Sequence, residues 1–181
     1  ALDDLGRQSG HPELGTVPWC LWGHSGGGYW ASLMLEKHAE RIVAVFCRSG
    51  AALALKKGEL PRPEFPPAAY AVPVLLNPGL KERVDTKFNT AWESTLKSFE
   101  AFRTNRALVA FAPDPLSSHD CRNSRLLAIP FFDACLRLRL PRARAVLKAL
   151  DYADGYLGDW RTGEVQAAKL GASTNLVCWL P

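Results

Sequence analysis

Val17-Pro18-Trp19-Cys20-Leu21-Trp22-Gly23-His24-Ser25-Gly26-Gly27 joins an apolar run to a glycine-rich turn. Residues 17–22 are short, apolar and without helical periodicity, and they lie between Gly15 and Gly23. That pattern predicts a strand buried on both faces. Beyond the glycines, Tyr29, Trp30, Leu33 and Met34 recur on one face of a helix ending near His38. A serine on so sharp a strand-to-helix turn takes a strained backbone conformation. Its neighbours two positions away, Gly23 and Gly27, then have to be small. The plainer alternative is a glycine-rich turn that only packs helix on sheet.

Working outward, residues 42–47 form a second short, β-branched apolar run, and Cys20 and Cys47 read as small buried hydrophobes in these two strands. Pro61, Pro63, Pro66 and Pro67 mark a loop within residues 51–71. Residues 72–76 and 107–112 give two further strands. Between them Phe88, Trp92, Leu96, Phe99 and Phe102 step at helical spacing. Residues 126–138 are apolar nearly all round, which predicts a packed helix with Pro130 in its first turns or kinking it. Strands alternating with helices imply an α/β fold: four parallel strands in sequential order, with helices on both faces. Gly155, Gly158 and Gly163 around Trp160-Arg161-Thr162 predict a small hairpin appended at the C-terminus. The 181 residues read as one domain, with a core at about 16–140 and an appended segment at about 141–181.

Several function classes lack support. The apolar runs fall short of the roughly 20 residues a membrane helix needs. A net charge of +4 is mild, and its densest stretch, Arg137, Arg139, Arg142, Arg144 and Lys148, reads as a solvated helix end without a nucleic-acid motif. The five cysteines form no CxxC pair, so no metal site is expected.

Gly23-His24-Ser25-Gly26-Gly27, in its strand–turn–helix setting, resembles the nucleophile elbow of the α/β-hydrolases. The resemblance extends over about residues 16–140, through Pro78-Gly79-Leu80-Lys81-Glu82 and Ala112-Pro113-Asp114-Pro115 to His119. It implies that Ser25 is a nucleophile, followed in chain order by an acid and a histidine. Only His119 of the four histidines lies downstream of the elbow helix, in the loop after the fourth strand. Aligned C-terminal strand ends would bring it to the edge that carries Ser25. The family places the acid after the preceding strand, often as G-x-x-D. Gly79 followed by Glu82 keeps that spacing with Glu for Asp; Asp85 is the rival, and Asp114 and Asp120 remain open because they flank His119. The N–H of Gly26, at the start of the helix, is the expected oxyanion donor.

The resemblance implies a serine hydrolase acting on a small ester or acyl substrate through an acyl-enzyme, without metal or organic cofactor. An acyltransferase or peptidase on the same scaffold, and a non-catalytic binding protein that keeps the pocket, are the alternatives. The family sheet has four further strands before the nucleophile strand, and one of its oxyanion donors comes from them. The chain is therefore expected to be a truncated, C-terminal part of such a fold, poorly soluble and inactive by itself. The proline-rich loop and the terminal hairpin are the segments expected to shape the cleft.

Overall fold

The computed structural model describes residues 1–51, 65–140, 146–159, 161–168 and 177–181. Much of the expected proline-rich loop, together with Trp160, Arg142 and Arg144, lies outside the described residues. A short helix, α1 (Leu2–Ser9), comes first and packs on the turn Pro12–Gly15. It is followed by β1 (Trp19–His24), α2 (Gly26–His38), β2 (Ile42–Arg48), α3 (Pro67–Tyr70), β3 (Val74–Asn77), α4 (Asn89–Thr104), β4 (Val109–Phe111) and α5 (Arg125–Arg139). The four strands form one sheet in the order β1-β2-β3-β4, and all three pairings are parallel. The fold is α/β.

Every residue of β2, β3 and β4 is buried. This follows from their composition: Ile42, Val43, Val45 and Phe46 each gain roughly 1.5–3 kcal/mol by leaving water, an upper estimate. Successive strand residues point to opposite faces. Val45, Val74 and Leu76 share a small internal void with Leu35 of α2 and Phe102 of α4. Phe46, one residue on from Val45, faces Phe132 of α5 at 6.4 Å. Thus α2 and α4 cover one face and α5 the other. On α4 the expected stripe is buried at Trp92, Phe99 and Phe102, with Trp92 and Phe99 both against Phe111.

β1 departs from the sequence reading. It starts at Trp19, and it is not buried on both faces: Cys20 is exposed and Trp22 is 45% exposed. The reason is position. β1 is the outer strand of the sheet, and α5 packs on β2. Among the described residues, nothing fully covers the alternate β1 side chains on that side. Cys47, on the inner strand, is buried.

α5 is also less enclosed than an all-round apolar helix would be. It buries Ala128, Phe131, Cys135 and Arg139 in one stripe and leaves Leu126 68% and Ile129 61% exposed. Arg139 does not belong to a solvated helix end. It is buried, and its Nη1 donates to the carbonyls of Ile42 (2.7 Å) and Val43 (2.9 Å), tying α5 to β2.

At the C-terminus, β5 (Tyr156–Asp159) and β6 (Val165–Ala167) make the expected hairpin, turning at Gly163 with φ 77°. A third strand, β7 (Val177–Leu180), pairs antiparallel with β5, so the appended unit is a three-stranded sheet. Within it, Leu157 and Trp179 pack with Leu108 of the core. β7 lies against β4, and the Cys178 Sγ contacts both the N–H (3.0 Å) and the carbonyl (3.3 Å) of Phe111. The small sheet therefore backs onto the opposite edge of the main sheet from β1.

Candidate functional site

The C-terminal ends of the parallel strands supply the site. His24, Arg48 and Asn77 sit in register across β1, β2 and β3. Ser25 follows His24 with φ 54° and ψ −119°, a region that L residues seldom occupy and that costs of order 1–3 kcal/mol. Two contacts hold this turn. The Ser25 N–H donates to the Arg48 carbonyl at 2.9 Å, and a Cβ on Gly23 would lie 2.0 Å from the Gly27 carbonyl oxygen. Gly27 behaves differently from the sequence reading: a Cβ there meets nothing within 4 Å. The need for a small residue falls on Gly23 alone of the pair, because strand and helix backbones cross at its Cα.

Ser25 is the N-cap of α2, where a serine hydroxyl ordinarily accepts from the helix's free N–H groups. Here it makes no cap hydrogen bond, and Oγ lies 2.9 Å from His119 Nε2 instead. On the other side of the ring, His119 Nδ1 is 3.0 Å from Glu82 Oε1. An ionised carboxylate only accepts, so with Glu82 in that form Nδ1 would carry the proton and Nε2 would be free to accept from the serine hydroxyl. Glu82 is fully buried and His119 is 11% exposed. The second carboxylate oxygen, Oε2, is buried, and no described group bonds to it.

Glu82 stands in the 3-10 turn Leu80–Val84, reached through Gly79. A Cβ on Gly79 would lie 2.1 Å from the Ser118 carbonyl oxygen, so glycine lets the acid loop approach the histidine loop. The two loops are zipped together by Leu80 N–H to the Asp114 carbonyl (2.8 Å), Asp114 N–H to that of Pro78 (2.8 Å) and Lys81 N–H to that of Ser117 (3.1 Å).

The other carboxylates are occupied elsewhere. Asp85 accepts from the N–H groups of Lys87 and Phe88 through Oδ1 and from Ser118 Oγ through Oδ2. The Lys87 N–H above all holds its carboxyl below the usual range. Asp114 accepts from Leu116 N–H, and Asp120 faces Arg122 at 3.1 Å. The structure therefore brings Ser25, His119 and Glu82 into one line and leaves Asp85 outside it. Gly26 is the first residue of α2, exposed, and its N–H has no acceptor within the helix.

Three neighbours of this line escaped the sequence reading as site residues. The Phe88 ring stacks on His119 with centroids 4.1 Å apart and planes 4° from parallel. His24 lies 5.0 Å from the same ring, and burial, with the charges of His119 and Arg48, holds its imidazole below the ordinary value. Arg48 is buried outright at the end of β2. One signal was available for it: a charged residue closes an otherwise apolar strand at the edge that carries Ser25. Among the described residues, no group of three or more His, Cys, Asp or Glu side chains is placed to hold a metal, and no helix is long and apolar enough to cross a membrane. Comparison with models of protein families, with curated proteins and with solved structures gives no match.

Proposed function

We propose that Ser25, His119 and Glu82 are the nucleophile, base and acid of a serine hydrolase with an α/β-hydrolase type of fold, acting on an ester-type bond of a small substrate. The observation that carries this reading is the line from Ser25 Oγ through His119 (2.9 Å and 3.0 Å) to a fully buried carboxylate. A packing role for Ser25 gives no reason for a strained φ or for an N-cap hydroxyl turned away from its helix.

In the proposed reaction His119 Nε2 takes the Ser25 proton as Oγ attacks the substrate carbonyl carbon. Negative charge then collects on the carbonyl oxygen, where the Gly26 N–H and the positive end of α2 stabilise it. The imidazolium, steadied by Glu82, gives its proton to the leaving alcohol as the acyl bond to oxygen breaks. Water, deprotonated by His119, attacks the acyl-serine; the bond from the acyl carbon to Ser25 Oγ then breaks, His119 returns the proton to Oγ, and the acid leaves. The preference for an ester over an amide rests on the resemblance of residues 16–140 to that family.

A fluorophosphonate probe tests the reading directly. In the intact protein it is expected to phosphonylate Ser25, found by peptide mass mapping, and to leave Ser25→Ala unlabelled. Ser25→Ala is also expected to lower kcat toward short acyl esters by about a million-fold, the scale seen when a triad nucleophile is removed. Labelling at another serine, or turnover by Ser25→Ala near the parent rate, overturns it.

A further inference from the structure

We propose that Arg48 is the positioning residue for His119, holding the peptide carbonyls on both sides of the histidine while its own carbonyl holds Ser25. This rests on the reading of Ser25, His119 and Glu82 as a catalytic relay and adds what sets the distance between its first two members.

The guanidinium offers five N–H donors in a rigid fork. Five acceptors meet them. Nε donates to the Asp120 carbonyl (2.7 Å), and Nη1 to the Asn77 carbonyl (2.9 Å) and Oδ1 (3.2 Å). Nη2 donates to Ser117 Oγ (2.5 Å) and the Ser118 carbonyl (3.1 Å). Ser118 and Asp120 are the chain neighbours of His119, so one planar group holds the peptide unit that enters the histidine and the unit that leaves Asp120. The Arg48 backbone adds the third tie, its carbonyl accepting the Ser25 N–H at 2.9 Å. Nucleophile and base come from loops 94 positions apart, and this residue touches both.

The surroundings fit a positioning task better than a packing one. Arg48 ends a strand otherwise built from Ile, Val, Ala, Phe and Cys, where an apolar side chain would fill the space without a buried charge. Burying the guanidinium is tolerated because every donor is satisfied and Asp114 stands 3.9 Å away. Asn77 extends the clamp, its Nδ2 donating to the Ala112 carbonyl at 2.6 Å, where the histidine loop leaves β4. Lysine cannot replace this arrangement. It keeps the charge but brings its donors to one point, so the carbonyls of Ser118 and Asp120 cannot both be held.

Arg48→Lys is the decisive variant, read in two ways. The downfield proton of His119 Nδ1–H, observed by nitrogen-edited NMR, reports the bond to Glu82 whether or not substrate turns over. It is expected to broaden or vanish in Arg48→Lys while thermal unfolding stays cooperative. In parallel kcat is expected to fall about 100-fold with KM held within about two-fold, the mark of misplacement without lost binding. If Arg48→Lys does not fold, Ser117→Ala carries the test. It removes one of the five acceptors and is expected to shift the same proton and to lower kcat alone. A sharp, unmoved Nδ1–H signal with unchanged kcat overturns the proposal. An intact parent protein that never reacts with a fluorophosphonate ends the hydrolase reading instead, and the His119 signal still decides whether Arg48 positions the ring.

Discussion

Ser25 and His119 meet at 2.9 Å, yet they are held by unlike means. The serine turn is fixed by close packing of backbone on backbone. Strand β1 runs into α2 so tightly at Gly23 that a Cβ there would sit 2.0 Å from the Gly27 carbonyl oxygen. The histidine loop joins β4 to α5 and has little regular structure, a single bridge pairing Asp114 with Gly79. Hydrogen bonds hold it: the backbone bonds to Pro78, Leu80 and Lys81, and the side chains of Arg48 through five donors, Asn77 at Ala112 and Asp85 at Ser118. A steric anchor fails by clash and a polar anchor by unpairing, so the two halves of the site should break differently.

The largest effect is expected at the steric anchor. Gly23→Ala places a methyl group where the Gly27 carbonyl carbon and oxygen already are, and neither belongs to a flexible side chain. Overpacking costs typically about 1–3 kcal/mol when neighbours can shift; here strand and helix must part. The variant is expected to lose its cooperative thermal transition and all fluorophosphonate labelling. Parent-like melting and labelling would show that the elbow is looser than its contacts imply.

On the polar side the effect is smaller and falls on rate more than on fold. Glu82→Gln keeps the size of the side chain but allows its amide to face Nδ1, which favours the wrong tautomer. On the proposed reading a kcat loss of about ten-thousand-fold is expected, as for the equivalent change in the Ser-His-Asp triad of serine proteases. Asp85→Asn is expected to cost far less, since Oδ1 still accepts from Lys87 and Phe88. It should also blunt acid sensitivity. The Asp85 carboxyl is held below its ordinary value in the folded chain, so its contribution to stability is present above the unfolded value and is lost as pH falls through the folded one. Steady-state kinetics on the two variants gives the ranking, and the reverse order transfers the acid role to Asp85.

The same contrast explains what could be read from the residues. The four strands and their parallel order follow from short apolar runs separated by helical periods, whereas Ser25, Glu82 and His119 were singled out through the resemblance, from the glycine-rich turn, the Gly79 spacing and the chain order that the family implies. The apolar runs, the glycine-rich turn and the Gly79 spacing are signals carried within a few positions of one another. Arg48 reaches Ser117, Ser118 and Asp120 across 69 to 72 positions, and no local pattern announces such bonds. Phe88 was legible as part of the apolar stripe of α4 but not as the ring beneath His119. Burial of β1 was misread for a related reason. An apolar run says that a strand is suited to burial, whereas exposure of Trp22 depends on where α5 lies.

Gly27 should give the smallest effect, and of opposite sign. A G-x-S-x-G pattern makes it as necessary as Gly23, but the two differ in what surrounds the missing Cβ. At Gly27 nothing lies within 4 Å, φ is not positive, and the residue is exposed in the first turn of α2. Alanine there meets no neighbour, removes conformational freedom from the unfolded chain and improves helix propensity. Together these favour the folded state by about 0.5–1 kcal/mol. For a chain of this length that is a rise in Tm of about 1–4 °C. The backbone of α2 is unchanged, so the Ser25–His119 distance is preserved and labelling at Ser25 is expected to proceed at the parent rate. A lower Tm would mean that α2 packs closer to Ser25 than its contacts indicate. An unchanged Tm with lost labelling would place the Gly27 methyl in the path of the probe and mark this side of the serine as the entrance to the site.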